Sequence, residues 1–183
     1  ASFAIFCLAL LIFVLCSRQA HAAAPSHPNV LIFLIDDLGR TDLRVDGSAF
    51  HDTPRLDALA QSGVRFTTFY ANCPVCSPTR AALLTGKVPQ RVGITDWIHP
   101  QSGVALPAEE MTLGEAFQSH GYQTAYVGKW HLGEADAVQP VQHGFQWTQA
   151  VNRAGQPATY YFPFRRAEGK STICDVPDLE DGA

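Results

Sequence analysis

Asn72-Cys73-Pro74-Val75-Cys76-Ser77-Pro78-Thr79-Arg80-Ala81-Ala82-Leu83-Leu84-Thr85-Gly86 is the segment from which the rest of the chain is read. Ser77 is a good N-cap, Pro78 suits the first helical position because its missing N–H is no loss there, and Ala81 to Leu84 are strong helix formers. The sequence therefore predicts a helix from Pro78 to Thr85, stopped by Gly86. That places Cys76 at the positive end, where backbone N–H groups and the macrodipole favour an anion. Arg80 follows about one turn on, and a guanidinium binds a tetrahedral oxyanion in bidentate fashion. A thiol, a helix N-terminus and an arginine in one small volume suit sulfate or phosphate. The same residues also fit an ordinary short helix preceded by a buried cysteine.

Cys76-x-Pro78-x-Arg80, followed by Leu83-Leu84-Thr85-Gly86, resembles the signature of the formylglycine-dependent sulfatases, in which the cysteine is oxidised after synthesis to an aldehyde. The resemblance implies a formylglycine-generating enzyme as a partner during maturation. Cys73-x-x-Cys76 also admits a redox or zinc reading. A thioredoxin-type pair, however, puts its first cysteine at the helix start, and here the start follows the second. Zinc is short of ligands, because only Cys174 remains as a thiol beyond the leader and no second Cys-x-x-Cys exists.

The 183 residues carry a net charge of −4 and are 46% hydrophobic, which fits a chain able to bury a core and excludes a polybasic nucleic-acid binder. An apolar run from Phe3 to Leu15, then Ser17-Arg18-Gln19 and a small-residue site at Ala20-His21-Ala22, reads as a secretory signal peptide over 1–22. The run is too short to span a bilayer, so no membrane insertion is expected after cleavage. Cys16 invites a lipoprotein reading, but Phe13-Val14-Leu15 lacks the small residues such a site prefers. Met111 is the only methionine, so the leader is expected to be clipped. About 160 residues would remain, enough for one modest domain. The mature chain would hold three cysteines, which leaves at least one thiol unpaired or modified; Cys76 is the candidate. An exported, periplasmic or secreted protein is expected.

Upstream of the motif, Val30-Leu31-Ile32-Phe33-Leu34-Ile35 is continuously apolar and predicts a central strand covered on both faces. It runs into Asp36-Asp37. Adjacent strand residues point to opposite faces, so the chain must turn there for both carboxylates to converge. An isolated Asp-Asp also fits a solvated loop with one carboxylate capping a helix. Ligands in open α/β sheets bind beyond the carboxyl ends of strands, and an anionic substrate beside two carboxylates needs a divalent ion between them. Oxygen donors suit Ca²⁺ or Mg²⁺. In the sulfatase resemblance, Asp36, Asp37 and the modified Cys76 are ligands of Ca²⁺, together with an Asp and an Asn much later in the family's chain.

Thr53 to Gly63 carries a full set of helix signals and reads as scaffold. Val64 to Tyr70 reads as a strand leading to the motif, with His51 and Asp52 as loop polar groups. Lys87 to Pro107 reads as a long loop, in which Asp96, Trp97 and His99 could touch substrate, although a tryptophan packing the loop down is the preferred reading. Met111 to Gly121 is an amphipathic helix with a capping box of Thr112 and Glu115. Tyr122 to Val127 is a strand that ends in Gly128-Lys129-Trp130-His131. If the backbone stays extended, Lys129 and His131 share one face and Trp130 packs on the other. Alone, Lys-x-His also fits a solvated lysine and a structural histidine.

Gly121-Tyr122-x-Thr124 through Gly128-Lys129-Trp130-His131 resembles the second signature of the same family, and His143-Gly144-Phe145 its turn into a strand. The implied fold is α/β, a mixed and mostly parallel central sheet with helices on both faces, of the alkaline-phosphatase and sulfatase type. The residues 27–183 would be the amino-terminal part of the catalytic domain, inactive by itself. The implied activity is hydrolysis of an aryl or carbohydrate sulfate. In it, one hydroxyl of the aldehyde hydrate attacks sulfur; Lys129, Arg80 and the cation neutralise the sulfate oxygens; and His131 takes a proton from the second hydroxyl, expelling sulfate. The same fold and modified cysteine also serve phosphonate or phosphate ester hydrolases, and a non-catalytic carbohydrate-binding relative would leave Cys76 unconverted.

Overall fold

A computed structural model describes residues 27–161. They divide by contacts into two units, one ending at Gly39 and one beginning at Arg40, and each is described by itself. The expected signal peptide, Cys16 and Cys174 lie outside the described residues.

In the first unit, residues 30–35 join no ladder among the described residues, and their side chains are exposed, Leu31 at 77% and Phe33 at 79%. The expected covered strand is therefore not formed here. An all-apolar strand is stable only between two paired neighbours and two covering layers. The run gives way to a turn at Asp36-Asp37, where Asp37 adopts a left-handed φ of 55°. The expectation that the chain turns at this pair is met. Aspartate is one of the few residues that tolerates that region.

The second unit opens with a short 3-10 turn, Arg44–Asp46, followed by helix α1, Pro54–Ser62. Pro54 stands at the start and Gly63 closes it by donating to Leu59 O, as the sequence predicts. Thr53 makes no cap bond to the helix backbone; its hydroxyl donates instead to Asp57 Oδ1 at 3.1 Å. Arg44 pairs with Asp52 at 3.1 Å on the exposed side, and His51 Nδ1 meets Asp42 O at 3.1 Å. Val64 to Tyr70 forms no strand, and Phe66, Phe69 and Tyr70 are exposed. The cause is the one that applies to Val30–Ile35, the lack of a ladder partner among the described residues.

Helix α2 spans Cys76–Thr85, starting two residues earlier than expected. Val75, extended at φ −117° and ψ 144°, is the cap position, and the first helical bond runs from Thr79 N–H to Val75 O at 3.2 Å. Pro78 therefore sits in the first turn, where its missing N–H costs no bond. Gly86, at φ 67°, ends the helix and donates to Ala82 O. Ala81 and Leu84 face the core, which they share with Val92, Ile94, Ile98, Leu106, Trp130, Leu132 and Phe145. Four of these lie between Lys87 and Pro107, so that segment is a core-forming connection rather than a surface loop, with a single helical turn, α3, at Pro89–Val92.

Helix α4, Leu113–Ser119, begins with the predicted capping box: Thr112 N–H donates to Glu115 Oε2 at 2.8 Å and Glu115 N–H to Thr112 Oγ1 at 3.3 Å. Thr112 Oγ1 also donates to His143 O at 2.6 Å, which brings this helix start against the His143-Gly144 turn. Gly114 permits the approach, since a Cβ there would lie 2.5 Å from His143 O. Strand β1, Ala125–Lys129, pairs in parallel with β2, Trp147–Asn152. Val127 stands opposite Gln149 and Lys129 opposite Asn152, so β2 carries one extra residue at Ala150-Val151. Ala150 takes it up at φ 53° and Gly128 faces the irregularity at φ 94°. Bulges of this kind bend a strand and re-aim the side chains beyond the bend. Here they lie just before Lys129-Trp130-His131. No helix among the described residues is long and apolar enough to cross a membrane.

Candidate active site

The site is built on the start of α2 and the carboxyl end of β1. Cys76 is the first residue of α2 and half-buried, with Cys73 likewise half-buried; both are free thiols. Cys73 O accepts the Thr79 hydroxyl, which ties the approach segment to the first turn. A helix that starts at Cys76 leaves its early N–H groups without intrahelical acceptors, at the sulfur itself. Ser77, expected as the cap, is fully buried, and its Oγ accepts the Ile98 N–H at 3.1 Å.

Arg80 is 6% exposed and its Nη1 donates to the Lys129 carbonyl at 2.6 Å. The same carbonyl accepts the Tyr126 hydroxyl at 2.5 Å. Burial raises the Tyr126 phenol above its ordinary value, and the charge and hydrogen bond of Arg80 pull the other way. The strand end is thus held by two donors on one oxygen. Nη1 is committed to that oxygen.

Trp130 is completely buried, with its N–H donating to Asn152 O at 2.7 Å and its indole Nε1–H to Val138 O at 2.8 Å. Lys129 is half-buried. The extended backbone that would set Lys129 and His131 on one face does not continue, because His131 turns into the left-handed region at φ 55°. His131 is 2% exposed and its Nε2 meets Ile98 O at 3.1 Å. Gly155 packs on the imidazole so closely that a Cβ there would stand 2.9 Å from Cε1. Trp97 does not anchor its loop in the core: it is 41% exposed and packs, tilted, against His99 with ring centres 3.7 Å apart, and its ring centre lies 6.4 Å from that of His131.

Among the described residues, no three His, Cys, Asp or Glu side chains gather as a metal site. Asp36 and Asp37 are exposed on the turn of the first unit. Two adjacent carboxylates are hard oxygen donors, and their chemistry fits Ca²⁺ or Mg²⁺.

The Sulfatase family model matches residues 28–170. The chain belongs to the sulfatase family. Bovine (Bos taurus) arylsulfatase A is 46% identical over 129 residues, which cover 69% of this chain and 25% of that protein. Human N-acetylgalactosamine-6-sulfatase is 41% identical over 152 residues, covering 78% of this chain and 28% of that protein. Among solved structures, Ps i-CgsB in complex with k-i-k-neocarrahexaose matches with a TM-score of 0.67 at 30% identity, over 77% of this chain and 33% of that one. This sulfatase chain therefore spans between a quarter and a third of the length of these relatives. The neighbours establish the expected alkaline-phosphatase-like α/β fold, of which the β1–β2 pair and the helices described are a part.

Three residues of this sulfatase site went unread in the sequence: Tyr126, Ile98 and Gly155. Tyr126 was visible only as one more strand aromatic, three residues before Lys129. Ile98 acts through its main chain, which no side-chain pattern reports, and Gly155 matters for the space it leaves.

Proposed function

We propose that the protein hydrolyses a sulfate ester of an aryl alcohol or a carbohydrate through Cys76 converted to formylglycine. The observation that carries this reading is the Arg80–Lys129 clasp. It fixes the start of α2, where Cys76 stands, against the strand end that supplies Lys129 and His131. The relatives' sulfatase activity supports the reaction class. The neocarrahexaose complex of the structural relative supports a sulfated carbohydrate as substrate.

The converted residue supplies a geminal diol, an oxygen nucleophile that can later collapse to the aldehyde and release sulfate. The helix N–H groups at Cys76 and the Arg80 guanidinium hold the sulfate oxygens, and the Lys129 ammonium adds positive charge to them. His131, whose Nε2 donates to a backbone carbonyl, is the base that takes the second hydroxyl proton. Asp36, Asp37 and an oxygen of the converted residue would hold Ca²⁺, with Mg²⁺ as the other hard ion that fits; such an ion would supply Lewis-acid charge. Maturation requires the formylglycine-generating enzyme, and the leader-like residues 1–22 direct export to the periplasm or outside the cell.

The test is steady-state kinetics of the full-length, matured protein on paired sulfate and phosphate esters of one phenol and on a sulfated oligosaccharide. A clear preference in kcat/KM for sulfate is expected. Preference for the phosphate ester would move the reading to phosphoryl transfer, and binding of the oligosaccharide without turnover would move it to a binding relative.

A further inference from the structure

We propose that Ser77 is a positioning residue for His131, acting through the main chain of Ile98; this rests on the reading of His131 as the base. Ser77 Oγ accepts the Ile98 N–H at 3.1 Å, and Ile98 O faces His131 Nε2 at 3.1 Å, with all three residues buried. A carbonyl only accepts, so Nε2 carries the proton and the lone pair of the neutral ring lies on Nδ1. The Ile98 side chain packs in the same core as Trp130 and Leu132, the two residues that flank His131. Ile98 is thus fixed at its N–H, its carbonyl and its side chain.

Ser77 is not used as a helix cap: the cap position is Val75 and no side chain caps the helix. Its hydroxyl is spent on Ile98 instead. The residue directly after the nucleophile therefore sets the tautomer and ring plane of the group that deprotonates that nucleophile's hydrate. Both partners in the proton transfer are positioned from one rigid helix start. Removing the hydroxyl leaves the buried Ile98 N–H without its acceptor, loosens the adjoining carbonyl and lets the imidazole adopt its other tautomer. Substrate binding does not depend on that tautomer, so the loss falls on kcat.

The test uses the full-length protein matured with the formylglycine-generating enzyme, with Ser77→Ala, His131→Ala and the double variant. Each is assayed on 4-nitrophenyl sulfate and normalised to the formylglycine content of residue 76. Ser77→Ala is expected to lower kcat about tenfold with KM nearly unchanged, and the double variant to be no slower than His131→Ala alone. An unchanged kcat in Ser77→Ala, or a further loss of the same size in the double variant, overturns the relay. Wild-type turnover by His131→Ala overturns the base assignment itself, whereas an inactive His131→Ala beside a wild-type-like Ser77→Ala removes the relay alone. A second readout is independent of conversion: ¹⁵N-histidine NMR of the unconverted protein should show His131 as the Nε2–H tautomer, and a mixture of tautomers in Ser77→Ala. An unaltered tautomer in the variant also overturns the proposal.

Discussion

The Arg80 guanidinium donates to the main-chain oxygen of Lys129 across 2.6 Å, joining the second turn of α2 to the last residue of β1. A lysine at position 80 keeps the charge but offers no planar fork to hold the carbonyl and an anion together. Arg80→Lys is therefore expected to cost about 2 kcal/mol of stability, the worth of a charged hydrogen bond left unmade. It should also lower kcat/KM at least about a hundredfold. Urea titration and saturation kinetics of the full-length protein check both; a variant with native stability and activity contradicts the clasp.

The phenol of Tyr126 shares that oxygen and its pKa is raised by burial. The folded state therefore holds the proton more tightly than the unfolded chain. The stabilisation is full below the ordinary tyrosine value of about 10 and is lost as pH climbs through the raised folded value. Tyr126→Phe should cost about 1 kcal/mol at neutral pH and should flatten the alkaline limb of the stability profile. Parallel alkaline limbs in the two proteins would contradict this.

Helix starts, stops and the capping box were legible because they are local: Pro54, Gly63, Gly86 and the Thr112–Glu115 pair each act within a few residues. The start of α2 was misplaced by two residues because Ser77 obeys a distant demand, the Ile98 N–H, over its local preference for a cap. Val30–Ile35 and Val64 to Tyr70 have strand composition, but a strand exists only with a ladder partner, and composition does not supply one. Cys76, Arg80, Lys129 and His131 were singled out through two short motifs. The left-handed turn at His131 was hidden, because nothing in Lys-Trp-His announces a positive φ.

Gly155 leaves room for the His131 ring, as a Cβ would approach Cε1 to 2.9 Å and Nε2 to 3.3 Å. Gly155→Ala must therefore displace the imidazole. We expect a kcat loss of about tenfold or more with a melting temperature within a few degrees of wild type. Full turnover in a folded Gly155→Ala protein would show that the ring position is not critical.

His143 is buried, neither ring nitrogen has a hydrogen-bond partner among the described residues, and burial lowers its pKa against the opposing pull of Glu115. The neutral ring is favoured in the fold, so the unfolded chain binds the proton more readily. Stability present above about pH 6.5 is lost as pH falls through the depressed folded value. His143→Phe should remove that acid-side loss without lowering stability at pH 8, since both unpaired nitrogens are replaced by apolar atoms. Chemical denaturation at pH values on both sides of the ordinary histidine value of about 6.5 decides it; an equally steep acid loss in the variant contradicts the assignment.

Ala150 holds a left-handed φ of 53° inside β2, a conformation that costs a residue with a Cβ about 1–2 kcal/mol. Ala150→Gly should recover part of that, a net gain of about 0.5–1 kcal/mol after the added chain entropy of glycine. A loss of stability in the same denaturant assay would contradict the strain.

Mass spectrometry of the tryptic peptide Phe66 to Arg80, taken from the full-length protein produced with the formylglycine-generating enzyme, reads the state of residue 76 directly. The account predicts an aldehyde and its hydrate in place of the thiol, in step with sulfatase turnover. A peptide that carries only the free Cys76 thiol in a preparation that turns over sulfate esters at full rate would contradict it.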